Sequence, residues 1–248
     1  MFMKRFIGYF DLLGYKEFIL NNETEYVRSR LGNILAVIEG CLGRGEYEEA
    51  PQGFVADMKK STIQCLNISD TIIFWTKDDS GTSLAEFLEV CYTFNWKMNT
   101  FEYPMRGAMV YQEIEIIKGA NNTDAGGMYN VNTIYGKGLI NAHLKCESQM
   151  WAGTVIDKSL EDFILKIPGG GAILEPIAIR YTVPYKSTAV GQTEEYALRL
   201  VSSLIDDATL NNLRADLIDI FNRDNKGMGG TASLKLENTL LFAERFKA

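Results

Sequence analysis

Two acidic residues stand where a rigid backbone could aim them at one point. Asp11 closes the apolar run "FIGYF", and Asp70 sits between two β-rich runs, "STIQCLNI" and "TIIFW". A carboxylate at the end of a buried strand and another at a hairpin tip suit a hard divalent ion such as Mg2+ or Mn2+. Such an ion prefers oxygen ligands and keeps positions for phosphate oxygens. Behind the first acid, Leu12-Leu13-Gly14-Tyr15 reads as a tight turn into a helix. Glycine lets a backbone approach a ligand closely, and the free amides of Leu13, Gly14 and Tyr15 are then placed to hold a triphosphate. Singly, Asp11 also fits a helix N-cap and Asp70 a turn residue. Their matched settings favour the metal pair.

The acids meet only if the elements that carry them are neighbours. The first strand runs over Phe6–Phe10, followed by a helical region from Tyr15 to Cys41 with apolar residues at helical spacing. "GRGEYEEAPQGF" reads as a loop, and the runs on either side of Asp70 read as a hairpin. A second helix, "TSLAEFLEVCYTFNWKMN", precedes the strand "MRGAMVYQEIEII" and the loop "NNTDAGGMYN". "GLINAHLKCESQM" is a third helix and "WAGTVID" a further strand. The order β-α-β-β-α-β predicts an α+β fold over residues 1–157, a ferredoxin-like or palm-like antiparallel sheet with helices on one face. Residues 158–248 read as a C-terminal α/β extension that packs on the core or extends a subunit contact. It opens with the strand-like, Gly- and Pro-broken "KIPGGGAILEPIAIRYTVPYKS". Two amphipathic helices follow: "DDATLNNLRADLIDIFNRDN", with capping acids at its start, and "TASLKLENTLLFAERF".

The chain of 248 residues can bury one sizeable core. A net charge of -7 argues against general binding to nucleic-acid backbone. Cys41, Cys65, Cys91 and Cys146 form no CxxC pair and read as reduced cytoplasmic thiols. The single histidine, His143, argues against a zinc site or a Ser-His-Asp triad. No apolar run approaches the ~20 residues of a membrane span, and the N-terminus lacks a signal-peptide layout. The expectation is a cytoplasmic protein with no membrane or nucleic-acid partner.

Four segments in order, "FDLLGYKEF", "NISDTIIFW", "PMRGAMV" and "IYGKGLINAHLKCE", resemble the motifs of the class III nucleotidyl cyclases. The resemblance covers about residues 4 to 157. It implies two divalent metal ions, Mn2+ or Mg2+, held by Asp11 and Asp70 with the Leu12 carbonyl as a further ligand. It implies attack of a ribose 3'-hydroxyl on the α-phosphorus and loss of pyrophosphate. Asn141 and Lys145, at i,i+4 spacing, match the helical Asn and Arg that meet the ribose and the transition-state phosphate. The match needs one extra residue after Gly136, and Lys145 lacks the two-pronged fork of Arg. A homodimer with active sites at the interface is also implied, the metal side from one subunit and the Asn141 helix from the other.

Adenylate cyclases carry a lysine four residues before the second metal Asp, where this chain has Leu66, so the adenine reader is absent. Arg106 is a candidate contact for base or phosphates. Tyr9, Tyr103 and Tyr135 are candidates to narrow the pocket, although core positions suit such residues equally. The short chain and these segments are most similar to the stand-alone pyrimidine cyclases of bacterial Pycsar anti-phage systems. That resemblance implies cyclisation of UTP, or CTP next, to a messenger read by a separate effector protein. The alternatives are an adenylate or guanylate cyclase with another base pocket, an inactive cyclase-fold nucleotide sensor, and a palm-type nucleotidyltransferase. "ISDTIIF" lacks the glycines and second acid that the last would need.

Overall fold

Side chains alternate along the first strand, and both faces of that alternation are buried. The computed structural model describes residues 3–51, 53–186 and 194–248. Strand β1 (Met3–Leu12) turns Phe6, Phe10 and Leu12 to one side and Ile7 and Tyr9 to the other. Burying aromatic and branched side chains on both sides, at about 1.5–3 kcal/mol each, places this strand at the centre of the molecule.

Helices α1 (Tyr15–Asn21) and α2 (Thr24–Leu42) follow, then a hairpin of β2 (Tyr47–Ala50) and β3 (Gly53–Ala56). Strands β4 (Gln64–Ile68) and β5 (Thr71–Trp75) form the hairpin around Asp70. Helix α3 (Gly81–Lys97) is capped by Ser80, whose side chain accepts from the Ser83 amide, and runs into a π turn over Met98–Glu102. Strands β6 (Met105–Asn122) and β7 (Met128–Tyr135) lead to helix α4 (Lys137–Ser148) and strand β8 (Gly153–Ile156). The remaining elements are α5 (Lys158–Leu165), α6 (Gly170–Leu174), β9 (Ala178–Thr182), β10 (Glu194–Leu198), α7 (Asp207–Asn222) and α8 (Thr231–Ala243).

The main sheet runs β4-β5-β1-β6-β8-β10-β9, with β7 paired to β6. Among the described residues only the β6–β8 strand pair of this sheet is parallel. The α+β class and antiparallel character agree with the expectation. Helices on one face do not. One face carries Phe18, Ile34, Phe87, Phe94 and Leu160 from α1, α2, α3 and α5, and the other carries Ala142, Leu217 and Phe242 from α4, α7 and α8. Helix α4 and the C-terminal helices α7 and α8 together supply the second layer.

Several elements depart from the expected boundaries. The single helix from Tyr15 to Cys41 is two, broken at Asn22–Glu23, where the Asn22 amide group caps the Phe18 carbonyl at 2.8 Å. The segment expected as a loop after Gly43 holds the β2–β3 hairpin, Gln52 lying outside the described residues. The expected loop from Asn121 to Asn130 is only the tip of the β6–β7 hairpin. Asp157 caps a helix, α5, through the Ser159 amide, and the "PGGGAIL" run forms α6. Ser187, the last residue of the expected strand-like run, lies outside the described residues.

Candidate active site

Asp11 lies in β1 between Thr71 of β5 and Arg106 of β6. The Leu12 amide donates to the Asp70 carbonyl at 2.9 Å, which seats the β4–β5 turn against the end of β1. The Leu13 amide points the other way, to the Pro104 carbonyl at 2.9 Å, so against expectation it is not free for a triphosphate. A trans peptide is planar, so the Leu12 carbonyl is directed opposite to the Leu13 N–H, toward the Asp70 side. Ser69 makes the turn possible at φ 57°, in a region that costs a side-chain-bearing residue about 1–2 kcal/mol.

Arg106 fastens the site to α4. Its Nε donates to Asp11 Oδ2 at 2.7 Å, Nη1 to the Glu147 carbonyl at 2.8 Å and Nη2 to Glu147 Oε1 at 3.0 Å. A guanidinium on the last carbonyls of a helix is well matched to its dipole. Burial pushes the Asp11 carboxyl above the usual range, Arg106 opposes this and the charge of Asp70 adds to it. The same acidic field raises the phenols of Tyr9 and Tyr15, after burial as the main cause.

The site therefore brings the half-buried Asp11 carboxylate, already paired with Arg106, into the field of the Asp70 charge and beside a directed carbonyl, all hard oxygen donors. This donor set fits Mg2+ or Mn2+, with water or phosphate oxygens completing the shell. Among the described residues no group of three or more His, Cys, Asp or Glu side chains forms a closed cage.

Gly14 starts α1 at φ 76°, and α1 has no side-chain cap. Leu66 lines a cavity of about 390 Å³ with Ile68, Ile73, Leu139 and Ile140. Polar atoms enter it along one line: Tyr9 Oη lies 3.3 Å from Thr71 Oγ1 and 3.1 Å from His143 Nδ1. Of the three tyrosines, only Tyr9 lines this space. Tyr103 is fully buried against Phe18, and Tyr135 is exposed.

Asn141 and Lys145 have other partners within the chain. Asn141 Nδ2 donates to Gln112 Oε1 at 2.6 Å, and Lys145 Nζ meets Asp157 at 2.9 Å and Glu195 at 2.7 Å. Gly138 allows this approach of α4 to the sheet: a Cβ there would stand 2.7 Å from Ile7 Cδ1 and 2.9 Å from the Glu113 carbonyl.

Sequence reasoning passed over Glu147, Thr71 and His143, whose roles come from contacts across the sheet. It also passed over Lys235 of α8. Burial and then Arg106 hold the Lys235 ammonium below the usual lysine range, Asp11 and Glu147 opposing, and no acid pairs with it among the described residues.

No protein-family model matches the chain, and no curated protein matches it. Solved structures do share its fold. The catalytic core of a rhodopsin-guanylyl cyclase with converted specificity, in complex with ATPαS, superposes with a TM-score of 0.53 at 9% identity, covering 79% of this chain and 95% of that one. A dimeric guanylyl cyclase domain of the RhoGC fusion protein from the aquatic fungus Blastocladiella emersonii gives 0.53 at 10% identity, covering 79% and 96%. The guanylate cyclase domain of RhGC from Catenaria anguillulae, in complex with GTP, gives 0.51 at 9% identity, covering 80% and 97%. The chain thus has the fold of class III cyclase catalytic domains.

Proposed function

We propose that this chain is a metal-dependent nucleotidyl cyclase that converts a pyrimidine nucleoside triphosphate, UTP before CTP, to its 3',5'-cyclic monophosphate and pyrophosphate. The observation that carries the reading is the meeting of Asp11, Asp70 and the Leu12 carbonyl at one end of a cyclase-type sheet. These groups would hold two divalent ions. When bound, such ions supply charge neutralisation to the triphosphate and acidity to the ribose hydroxyl. Gly14 and Tyr15 hold phosphate oxygens from the turn, the Leu13 amide being engaged by the Pro104 carbonyl, and Arg106 and Lys235 add positive charge nearby. The 3'-oxygen forms a bond to the α-phosphorus, the bond from that phosphorus to the bridging oxygen breaks, and pyrophosphate leaves with its electron pair. The hydroxyl proton goes to solvent.

The base occupies the cavity. Its apolar walls take the faces of a ring, and the Tyr9, Thr71 and His143 atoms supply the few polar contacts that orient it. Leu66 offers no hydrogen bond where an adenylate cyclase has lysine, which favours a smaller base. Asn141 and Lys145 serve the site of a second subunit in a homodimer. The product is a messenger in anti-phage defence, as the Pycsar resemblance implies, and acts through a separate effector protein. The setting is cytoplasmic, a reading supported by the free cysteines; among the described residues no helix is long and apolar enough to cross a membrane.

A purine cyclase is the second reading, favoured by the guanylyl cyclase neighbours. Incubating the protein with each of the four nucleoside triphosphates and Mn2+, with products read by mass, separates the readings. Cyclic UMP or cyclic CMP is expected, and Asp70→Ala should lose it. Turnover of ATP or GTP alone overturns the pyrimidine assignment, and nucleotide binding without pyrophosphate release leaves a sensor.

A further inference from the structure

The loop over residues 223–227, between α7 and α8, reaches the far side of the metal-bearing end of β1. At the start of α1, the Lys226 stem packs on Gly14: a Cβ on that glycine would stand 3.1 to 3.4 Å from Lys226 Cβ, Cδ and Cγ. At the end of α1, Asn21 Nδ2 donates to the Asn225 carbonyl at 2.9 Å and Asn22 Nδ2 to the Asp224 carbonyl at 2.7 Å. One short loop therefore grips α1 at both ends.

That loop is held in an unfavourable backbone form. Asp224 has φ 69° and Asn225 φ 51°, two successive residues in the left-handed region. Such strain persists only where surrounding contacts impose it. Here they do. The Asp224 side chain is fully buried, accepting from Tyr26 Oη at 2.7 Å and Arg30 Nε at 3.0 Å, with Lys226 Nζ at 3.2 Å. Arg30 in turn donates to the Glu102 carbonyl at 2.7 Å and its carboxylate at 3.0 Å. Glu102 lies two residues before Pro104, the acceptor for Leu13. The Lys226 ammonium points to the Arg223 carbonyl at 2.7 Å and over the Tyr103 ring at 4.4 Å, so only its stem meets the turn.

We infer that this loop is the support that sets the Asp11–Gly14 segment for metal binding, with Lys226 as a positioning residue acting through its stem. The inference rests on the cyclase reading only for the identity of the metal donors, and it gives the C-terminal part of the chain a share in the site. Supports one step removed from metal ligands typically change affinity about 10- to 100-fold when removed.

The test titrates the full chain with Mn2+ alone, reading free ion by electron paramagnetic resonance, and Asp70→Ala identifies the site of interest. Lys226→Ala should weaken that site about tenfold, while Lys226→Met, which keeps the stem, should stay within about twofold of the parent chain. Asn22→Ala, which releases the other grip, should weaken it too and stands in if Lys226→Ala fails to fold. Asp206→Ala, which removes the α7 cap, should lower Tm with Mn2+ affinity unchanged. Equal affinity in Lys226→Ala and the parent overturns the inference, as does equal loss in Lys226→Met, which would assign the effect to charge. Tight Mn2+ binding without cyclic product would overturn the cyclase reading and leave this one standing. No Mn2+ binding by the parent overturns both.

Discussion

Burial pushes the Asp11 carboxyl up, the 2.7 Å Arg106 pair pulls it down, and burial together with the charge of Asp70 prevails. A carboxyl whose folded pKa is raised stabilises the fold fully below its unfolded value, and that contribution is lost as pH rises through the folded value. At neutral pH the ionised Asp11 is therefore a cost that a divalent ion can offset. Mn2+ at a hundred times its Kd should add about 2.7 kcal/mol, read as a rise in Tm at about pH 7.5. The rise should shrink at about pH 5, where protons compete for the same oxygens. A Tm shift that ignores pH, or survives in Asp11→Ala, would place the ion elsewhere. Ser69 bears a different cost, that of a left-handed backbone at φ 57°. Ser69→Gly should gain about 0.5–1 kcal/mol in denaturant unfolding, the relief being partly offset by the extra freedom of glycine when unfolded. A loss of stability would show that the Ser69 side chain holds the turn.

At the scale of elements, α4 is the member with two candidate duties. Within the subunit Lys145 ties it to Asp157, the α5 cap, and to Glu195 of β10. Burial pulls the Lys145 ammonium down, but Glu195 and Asp157 outweigh it and hold it above its ordinary value. The stability this adds is present below the unfolded lysine pKa and lost only as pH rises through the folded one. Lys145→Ala leaves two half-buried acids facing each other and should cost roughly 2–3 kcal/mol, less than the 3–5 of a fully buried pair. Chemical denaturation checks this. Unchanged stability with collapsed turnover would instead give Lys145 wholly to the phosphate. The tie to Glu195 could not be read locally, because it joins residues from two parts of the chain. What was legible had short-range causes: the apolar run before Asp11, the runs around Asp70, and the Asp206 cap. Strand β2 and the start of β7 were read as loops because their glutamates, asparagines and flanking glycines suit solvent. They form as paired hairpin arms with exposed side chains such as Tyr47 and Tyr129. The break between α1 and α2 has no proline or glycine to announce it. Arg106 on Glu147 and Lys226 on Gly14 left no trace, since neither contact has a sequence spacing.

For the whole molecule, the question is whether one subunit contains a complete site. Asp11 and Asp70 lie together, while Asn141 is taken up by Gln112 of its own subunit. Beside Asn141 the outer face of α4 exposes Ile140 at 58% and Leu144 at 59%, and Ile68 at the rim of the cavity is 59% exposed. A twofold dimer is built so that a residue of one copy meets a different residue of the other, and the reverse contact follows by symmetry. If the metal side and the Asn141 side belong to opposite copies, Asp11→Ala and Asn141→Ala each disable both sites of their own homodimer. Mixing the two variants then produces heterodimers in which one site carries both lesions and the other neither. With random exchange half of the dimers are mixed, each with one intact site of two, so about a quarter of parent activity should return. Product formation after co-refolding or co-expression reads this directly. Recovery near zero, with exchange demonstrated by differently tagged chains, would mean that both residues act within a single subunit.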